Sequence, residues 1–513
     1  MAESFRVRVA CAVAVVAFLA VVLLIARRSA PMFPVSDEAV TELATLNVLH
    51  GRQLLGPYSR YPWHHPGPAL FYLLAPFYGI SGWRATGLAA GALSIGVFGV
   101  GLATWVLFRR GGAALALAVA STMTLLLARV PGVLVSPWNP HAAAILAMPV
   151  AILSAAAAAG WPAAIPLLAG FGSIVVQTHV ATLPHVAIAV GVTLAALVLA
   201  PAIAPPSRIA KQTAAILLVL WLLPLIEQVS GGGNMGRLLG FAMTPQPGAG
   251  LSVAIHAWAD ALLSVFRPGF GVPLGLLVTP DPARWVVLAA FGEVLLLAAV
   301  AIWARTSGRS MHRWIATQLL ATSVVSLWAV SRIPDGVHDH EVFWIAVVGA
   351  LNAGVIIAWP LALTNVEQWR AALAPILVLL VAGLAAAGGN EVVRMDARSH
   401  SPSFNDRLIR NLTGAVDAEI TRTGSRKTTV LIDQRVWPAA AGVVLQLRKA
   451  GRTLAVEPDL AHMFSGTLAA DGSEDLEVSF CGGPCHEQQS ARPGNVVIWL
   501  ADGIAVDAVA KVR

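Results

Sequence analysis

The sequence predicts a polytopic α-helical membrane protein that ends in a small soluble α/β domain. Of its 513 residues, 57% are hydrophobic and only 12% are charged. A soluble domain is usually about a quarter charged, so we expect most of this chain to lie in a membrane. Polar residues become frequent after residue 389. We therefore predict a transmembrane domain at 1–389 and an extracytoplasmic α/β domain at 390–513.

About eleven stretches approach the ~20 apolar residues that a membrane-spanning helix needs. They lie at 8–26, 85–107, 112–130, 142–159, 162–181, 184–202, 213–229, 285–303, 314–331, 343–362 and 371–388. The first could be a signal peptide, but it lacks a good small-x-small cleavage site, so we expect a retained anchor. Residues 69–80 are short for a further span, and Pro76 interrupts them.

Charged residues predict the orientation and the partners. Several short loops that fall on one side of the membrane carry arginines and lysines, such as 109–110 and 305–313. Basic short loops are typical of the cytoplasmic side, so we place these loops in the cytoplasm. An odd number of spans then puts the N-terminus inside and the C-terminal domain outside a bacterial plasma (inner) membrane. The opposite side also carries many arginines, which we interpret as partners for anionic groups. The net charge of +7 is spread without a basic block, which favours membrane lipids and phosphate groups over nucleic acid.

Chemistry is concentrated in residues 36–83, which follow the first span and contain all four tyrosines. Ser36 can cap a helix, and Asp37 and Glu38 would occupy its first turn, where carboxylates are favoured. Apolar residues then recur at helical spacing, which is typical of an amphipathic helix lying on a membrane surface. An aromatic, His-rich turn at 58–68 leads into the apolar residues 69–80. The segment therefore predicts two juxtamembrane helices on the outer face, joined by a polar loop.

The C-terminal region predicts a small α/β fold. Strands are expected at Thr428–Ile432, 453–456 and 496–499, with a helix at Trp437–Lys449. Cys481 and Cys485 form a CGGPC sequence with only His486 nearby, which is too few ligands for a zinc site. In an oxidising compartment a small disulfide loop is the better interpretation.

These features together resemble the GT-C superfamily of membrane glycosyltransferases. The resemblance rests on the Asp-Glu pair after the first span, the surface helices, the His65-Pro66-Gly67-Pro68 turn and some ten further spans. It is strongest to the branch of protein O-mannosyltransferases and aminoarabinose transferases (glycosyltransferase family 39-like). The second outer loop, with Arg129 and the residues 136–141, and the loop after the seventh span at 224–234 extend the likeness.

The resemblance implies transfer of a sugar from a polyprenyl-phosphate donor to a hydroxyl of an envelope glycan, lipid or protein on the outer face. Asp37 and Glu38 match the catalytic acid pair of the family. Asn139 and His141 stand where metal-using relatives have carboxylates, and members with monophosphate donors generally use no metal. We therefore expect no metal cofactor.

Such a reaction needs a base for the acceptor hydroxyl and cations for the phosphate. Asp37 is the candidate base, and arginine can bind phosphate through a two-pronged guanidinium. The candidate phosphate ligands are Arg60, Arg84, Arg129, Arg267 and Arg332. The other candidate substrate-binding residues are His64, His65, Trp138, Asn139, His141, Glu227 and His340.

Several alternatives stay open on the sequence. Asp37 and Glu38 could serve only the helix N-terminus, and Glu227 could be a solvated loop residue. Tyr72 and Tyr78 are interpreted as anchors at the membrane interface. The leading rival function is a transporter or flippase of lipid-linked intermediates, and a third is a non-catalytic scaffold that displays the C-terminal domain. Only Glu293 stands out as an acid within a span, and no inverted repeat is evident, which favours the enzyme.

Overall fold

The computed structural model describes residues 2–200, 205–278, 283–464 and 466–511, with side chains from Val15 onward. It is mostly helical, and a five-stranded sheet lies near the C-terminus. Spatial contacts divide the chain into two compact units. Unit 1 contains residues 1–91 and 392–513, and unit 2 contains residues 92–391. The domain boundary at residue 389 stays a prediction.

Of the sixteen α-helices described up to residue 399, eleven overlap the predicted spans and five do not. The sixteen helices are α1 (Ala2–Arg28), α2 (Ser36–Leu49), α3 (Ala69–Ile80), α4 (Ala85–Arg110), α5 (Ala113–Arg129), α6 (Gly132–Val135), α7 (Asn139–Ala158), α8 (Ala164–Thr178), α9 (Leu183–Leu199), α10 (Ser207–Ser230), α11 (Asn234–Met243), α12 (Leu251–Leu262), α13 (Arg284–Thr306), α14 (Ser310–Ser331), α15 (Asp339–Ala362) and α16 (Arg370–Ser399). Among the described residues, eight helical segments are long and apolar enough to cross a membrane, while α5 and α8 are shorter. Residues 201 and 202 of one predicted span lie outside the described residues. The predicted multi-span helical fold is confirmed.

Helices α7 and α15 form the centre of unit 2. In their most apolar windows, 94% and 83% of the residues are buried, against 6% in α10. Small residues let the central helices approach closely. Gly354 of α15 lies against the backbone of Val119 in α5, and the Thr122 hydroxyl donates to the Ala350 carbonyl at 2.7 Å. Helix α10 is therefore peripheral, with side chains suited to contact lipid.

Gly349 allows α15 to pack directly on α12. A Cβ atom at this position would lie 1.7 Å from the Leu262 carbonyl oxygen. We expect Gly349→Ala to destabilise the protein by about 3 kcal/mol, because relief of the clash requires the two helix backbones to separate. Gly292→Ala in α13 is the control, since nothing lies within 4 Å of its added methyl group. Thermal unfolding in detergent measures both variants, and equal melting temperatures would contradict the expectation.

The sheet of unit 1 has the strand order β2-β1-β3-β5-β4. The strands are β1 (Thr428–Ile432), β2 (Leu454–Val456), β3 (Leu476–Cys481), β4 (Asn495–Ala501) and β5 (Ile504–Ala510). Strand β1 pairs in parallel with β2 and β3, whereas β5 pairs antiparallel with β3 and β4. Strand β3 is buried along its whole length, as expected for a strand covered on both faces.

The helices of this region are α17 (Phe404–Thr423), α18 (Trp437–Lys449), α19 (Pro458–Ala461) and α20 (Pro484–Ser490). The predicted strands, the predicted helix and the Cys481–Cys485 disulfide are all present. The sequence analysis missed α17, α19, α20, β3 and β5. For α17 a signal existed, because apolar residues recur every fourth position at Leu408, Leu412, Val416 and Ile420.

Helix α2 differs from its prediction. An amphipathic surface helix would expose one face, yet residues 39–47 are all buried. Ala39, Val40 and Leu43 belong to the same hydrophobic core as Val443 and Leu447 of α18. The prediction of an amphipathic helix was therefore wrong, because the C-terminal α18 and the neighbouring α3 cover the faces of α2.

Candidate functional site

The acid pair lies at the start of α2 in unit 1. Ser36 was predicted to cap this helix, and that prediction was wrong. The N-cap residue is Val35, which makes no side-chain capping hydrogen bond, and Ser36 is the first helical residue with φ of 52°. A non-glycine residue rarely adopts such a left-handed conformation. Asp37 and Glu38 follow in the first helical turn as predicted.

Asp37 is held by a tyrosine from the polar loop. The Tyr58 hydroxyl donates a hydrogen bond to Asp37 Oδ1, and the Tyr58 ring meets Trp437 of α18 edge-on at 6.2 Å between centroids. Burial, followed by the neighbouring Asp37 carboxylate, raises the pKa of the Tyr58 hydroxyl well above its usual range. Tyr58 therefore remains a hydrogen-bond donor at neutral pH and orients one oxygen of Asp37.

Glu38 is accessible to solvent although protein atoms surround it closely. Burial raises the pKa of its carboxyl group above the ordinary 4.5, and the negative charges of Asp37 and Glu42 raise it further, while Arg398 acts in the opposite direction. Three acids thus lie along one short helix. Perturbed carboxyl groups in such clusters are typical of functional sites.

The raised pKa of Glu38 predicts a pH dependence of stability. Ionisation of a carboxyl group whose pKa is raised by folding favours the unfolded state. The destabilisation by ionised Glu38 is absent below pH 4.5. It grows as the pH rises from there toward the raised pKa that Glu38 has in the folded state. We expect Glu38→Gln to be more stable than the wild type at neutral pH and to lose this advantage on acidification. Thermal unfolding across that range measures it, and a difference independent of pH would contradict it.

Glu42 is a residue that the sequence analysis missed. Its side chain is 1% exposed, and its Oε1 atom accepts hydrogen bonds from the Tyr78 hydroxyl at 2.8 Å and from Lys449 Nζ at 2.6 Å. The prediction that Tyr78 anchors the chain at the membrane interface was wrong, because its side chain is fully buried. A lone acid in the apolar run of α2, four residues after Glu38, was the available signal.

The polar loop between α2 and α3 brings His64 and His65 into the interior of unit 1. Both are buried, and His64 Nε2 lies 2.6 Å from the backbone carbonyl of His462. Trp63 stacks on Tyr61 at 5.9 Å and meets His65 edge-on at 5.7 Å. Alternate residues of this extended loop therefore form a column of aromatic rings.

Two predicted phosphate ligands lie in unit 1. The guanidinium of Arg60 lies over the Tyr61 ring, 5.0 Å from its centroid. Arg84 is half-buried, and its guanidinium has no ion-pair or hydrogen-bond partner among the described residues. Arg84 thus keeps its donors available for an anion. Tyr72, the second predicted interface anchor, is partly exposed and donates to the Gln53 carbonyl at 3.2 Å.

Two other predicted phosphate ligands, Arg129 and Arg267, are engaged within unit 2. Arg129 donates to the backbone carbonyls of Ser264 and Val265 at 3.0 and 2.9 Å, and also to that of Arg267. The Arg267 side chain forms an ion pair with Asp260. Through these hydrogen bonds Arg129 links the end of α5 to the turn after α12.

Unit 2 gathers Trp138, His141 and His340 into one cluster. The Trp138 ring lies 5.0 Å from each of the two histidine rings. His141 is fixed by Ser136 Oγ at 2.9 Å and by the Pro273 carbonyl at 3.1 Å. Asn139 contacts the cluster's neighbour His179, with 3.3 Å between Nδ2 and Nδ1.

A backbone nest supports this cluster. The Asp339 carboxylate accepts hydrogen bonds from the backbone N–H groups of Leu274, Gly275 and Leu276 at 2.8–3.1 Å. A Cβ atom at Gly275 would lie 3.7 Å from both Trp138 and His340. The loop after α12 is therefore fixed against the start of α15.

The last two candidate residues, Glu227 and Arg332, make no hydrogen bond or ion pair, among the described residues, with the cluster of Trp138, His141 and His340. Glu227 is buried at the end of α10, where it accepts hydrogen bonds from the backbone N–H groups of Gly232 and Asn234 at 2.9 Å each. These bonds close the turn before α11. Arg332 is exposed after α14, and its side chain has no partner within the described ranges.

Among the described residues, no three His, Cys, Asp or Glu side chains converge in a way that could hold a metal ion. The expected absence of a metal cofactor stays a prediction. The roles assigned to the individual site residues likewise stay predictions.

The apolar helices and the appended α/β region are those expected from the sequence of an integral membrane protein with a soluble C-terminal part. Two crystal structures of ArnT from Cupriavidus metallidurans share this fold. The apo structure has a TM-score of 0.53 at 12% identity, and the structure bound to undecaprenyl phosphate has a TM-score of 0.54 at 14% identity. Each alignment covers 97% of this chain and 98% of ArnT. The predicted resemblance in fold is confirmed.

No protein-family model matches the sequence, and no curated protein matches it either. At 12–14% identity the two structures establish the fold alone. The chemistry has to be argued from the residues of this chain.

Proposed function

We propose that this protein is a membrane glycosyltransferase that moves a sugar from a polyprenyl-phosphate donor to a hydroxyl group on the outer face of the plasma (inner) membrane. The observation that carries the proposal is the acid pair Asp37 and Glu38, held at the start of a buried helix in a chain with the fold of ArnT. The acceptor is an envelope glycan, lipid or protein.

The lipid carrier follows from the comparison. One ArnT structure holds undecaprenyl phosphate, and its alignment extends over nearly the whole of this chain. The many apolar helices of this chain provide a surface for a long prenyl tail. A sugar attached to such a phosphate would be presented at the membrane surface, where an acceptor from the aqueous side can meet it.

Asp37 is proposed as the general base. The acceptor oxygen attacks the anomeric carbon as the bond from that carbon to the phosphate oxygen breaks. The hydroxyl proton passes to Asp37, and the polyprenyl phosphate leaves with the bonding electron pair. Tyr58 occupies one oxygen of Asp37, which leaves the other oxygen for the acceptor.

The phosphate needs a cation while negative charge develops on the leaving group. Arg84 is the preferred ligand, because it lies in the same unit as Asp37 and its guanidinium has no partner among the described residues. Arg129 and Arg267 are already engaged by carbonyls and by Asp260. They are weaker candidates than they were on the sequence alone.

The test is sugar transfer by the purified full-length protein in nanodiscs. Radiolabelled polyprenyl-phosphate sugars are supplied with membrane extracts as acceptors, and the label is followed into lipid, glycan and protein fractions. Transfer of label to an acceptor supports the proposal. Movement of an intact labelled lipid across proteoliposomes without transfer would instead support the flippase, and would overturn it.

A further inference from the structure

We propose that Lys449, in the C-terminal region, is a positioning residue for the acid pair of α2. The inference rests on the proposed glycosyltransferase function, and it gives α18 a part in positioning the acid pair. Lys449 and Glu42 are 407 residues apart in sequence, yet their side chains form an ion pair with 2.6 Å between Nζ and Oε1. The Glu42 side chain is buried in this pair, and the Lys449 side chain is 21% exposed.

The charge balance of Glu42 depends on this lysine. The Oε1 atom of Glu42 accepts hydrogen bonds from Lys449 Nζ and from the Tyr78 hydroxyl. Its Oε2 atom is buried without a hydrogen-bond partner among the described residues. Removing one member of a buried ion pair leaves an uncompensated charge in the interior and is strongly destabilising. Lys449 also donates to the Trp83 carbonyl at 3.0 Å. It thereby links α2 to the segment that follows α3.

Glu42 lies one helical turn from Glu38, and its charge contributes to the raised pKa of that residue. A shift of Glu42 therefore moves the helix turn that carries the acid pair. The pair itself must be held within a fraction of an ångström of a productive geometry for efficient catalysis. Lys449 acts on the reaction through Glu42, without contact to the substrate.

Helix α18 supports α2 at a second place. Trp437, its first residue, packs edge-on against Tyr58, which donates to Asp37. Between the two ends, a Cβ atom at Gly442 would lie 2.8 Å from the Pro34 carbonyl oxygen. Helix α18 therefore contacts the segment before α2 through Gly442 and the middle of α2 through Lys449, and the acid pair lies between these two places in the sequence.

Lys427 offers a matched control. Like Lys449 it has a 21% exposed side chain paired with a glutamate that is 1% exposed, in its case Glu474 at 3.0 Å. Its other ion-pair partner is Asp471, so its ion pairs remain within the C-terminal region. Loss of either lysine removes a similar ion pair, but only one of the two contacts α2.

The experiment compares full-length Lys449→Met, Glu42→Gln, the double variant and Lys427→Met in nanodiscs. The first readout is hydrogen exchange of the α2 amides. We expect Lys449→Met to accelerate their exchange about tenfold or more, and Lys427→Met to leave it within about twofold of the wild type. The double variant buries no unpaired charge, so its exchange should return to within about threefold of the wild type.

The second readout is transfer kinetics. Lys449→Met should lower kcat about tenfold with little change in the KM of the donor, since it disturbs geometry rather than binding, and the double variant should recover most of the loss. Equal behaviour of the two lysine variants, or failure of the double variant to recover, overturns the inference. If Lys449→Met does not accumulate, the double variant is measured alone. Exchange and kcat near those of the wild type then support the inference, and failure to recover overturns it. If the wild type transfers no sugar, the proposed function fails, while hydrogen exchange still decides whether Lys449 holds α2.

Discussion

Asp37→Asn is expected to lower the rate of sugar transfer about a thousandfold, which is within the usual contribution of a positioned general base. Asparagine is nearly isosteric and can still accept the hydrogen bond from Tyr58, which Asp37 receives in the wild type. It cannot take a proton from the acceptor hydroxyl. The fold and the loop should therefore persist while the chemical step is lost. The measurement is single-turnover transfer from a labelled donor at matched protein concentration.

Asp406→Asn is the control for this substitution. Asp406 is also an acid in the first turn of a helix, where its carboxylate accepts from the Ser403 hydroxyl and from the Phe33 backbone N–H. Asparagine keeps one oxygen for the Phe33 N–H but loses the second carboxylate oxygen that caps α17. The substitution should therefore lower stability and leave the rate per folded molecule unchanged. Equal transfer by Asp37→Asn and the wild type would remove Asp37 from the mechanism. The helix N-terminus would then be the only role left for that carboxylate.

Arg129→Met is expected to destabilise the protein by about 3 kcal/mol, because three backbone carbonyls lose a charged donor. The carbonyls are those of Ser264, Val265 and Arg267. They lie where α5 meets the turn after α12, so the loss should loosen that junction. Chemical or thermal unfolding in detergent measures the change.

Arg332→Met is the matched control, since Arg332 is exposed and its side chain has no partner among the described residues. It should change stability by less than about 0.5 kcal/mol. The comparison also tests the two interpretations of Arg129. Wild-type stability together with a raised KM for the donor would favour a phosphate ligand and contradict the structural role.

The sequence analysis and the structure agree where local patterns decide the outcome. A run of ~20 apolar residues forms a helix in a membrane, since every backbone polar group must find its partner within the segment. The helix Trp437–Lys449 and the strand Thr428–Ile432 likewise carry clear local signals. Strand β5 was missed because alanines and the buried Asp507 obscure its pattern.

The candidate site was only partly predictable. Asp37 and Glu38 stand out because carboxylates are rare so close to apolar spans. Arg129 was predicted as a phosphate ligand from its residue type. The carbonyls that engage it come from residues about 135 positions away, and no local pattern indicates such a contact.

The sequence by itself determined the membrane-spanning character, the α/β nature of the C-terminal region and the position of the acid pair, since each depends on residue type and short-range periodicity. Only the tertiary structure decided that α2 is buried and that Glu42 is balanced by Lys449 from 407 residues away. An acid at helical spacing looks the same in sequence whether water or a distant lysine faces it. The physical reason is that burial and charge pairing are properties of the packed chain, which local sequence does not specify.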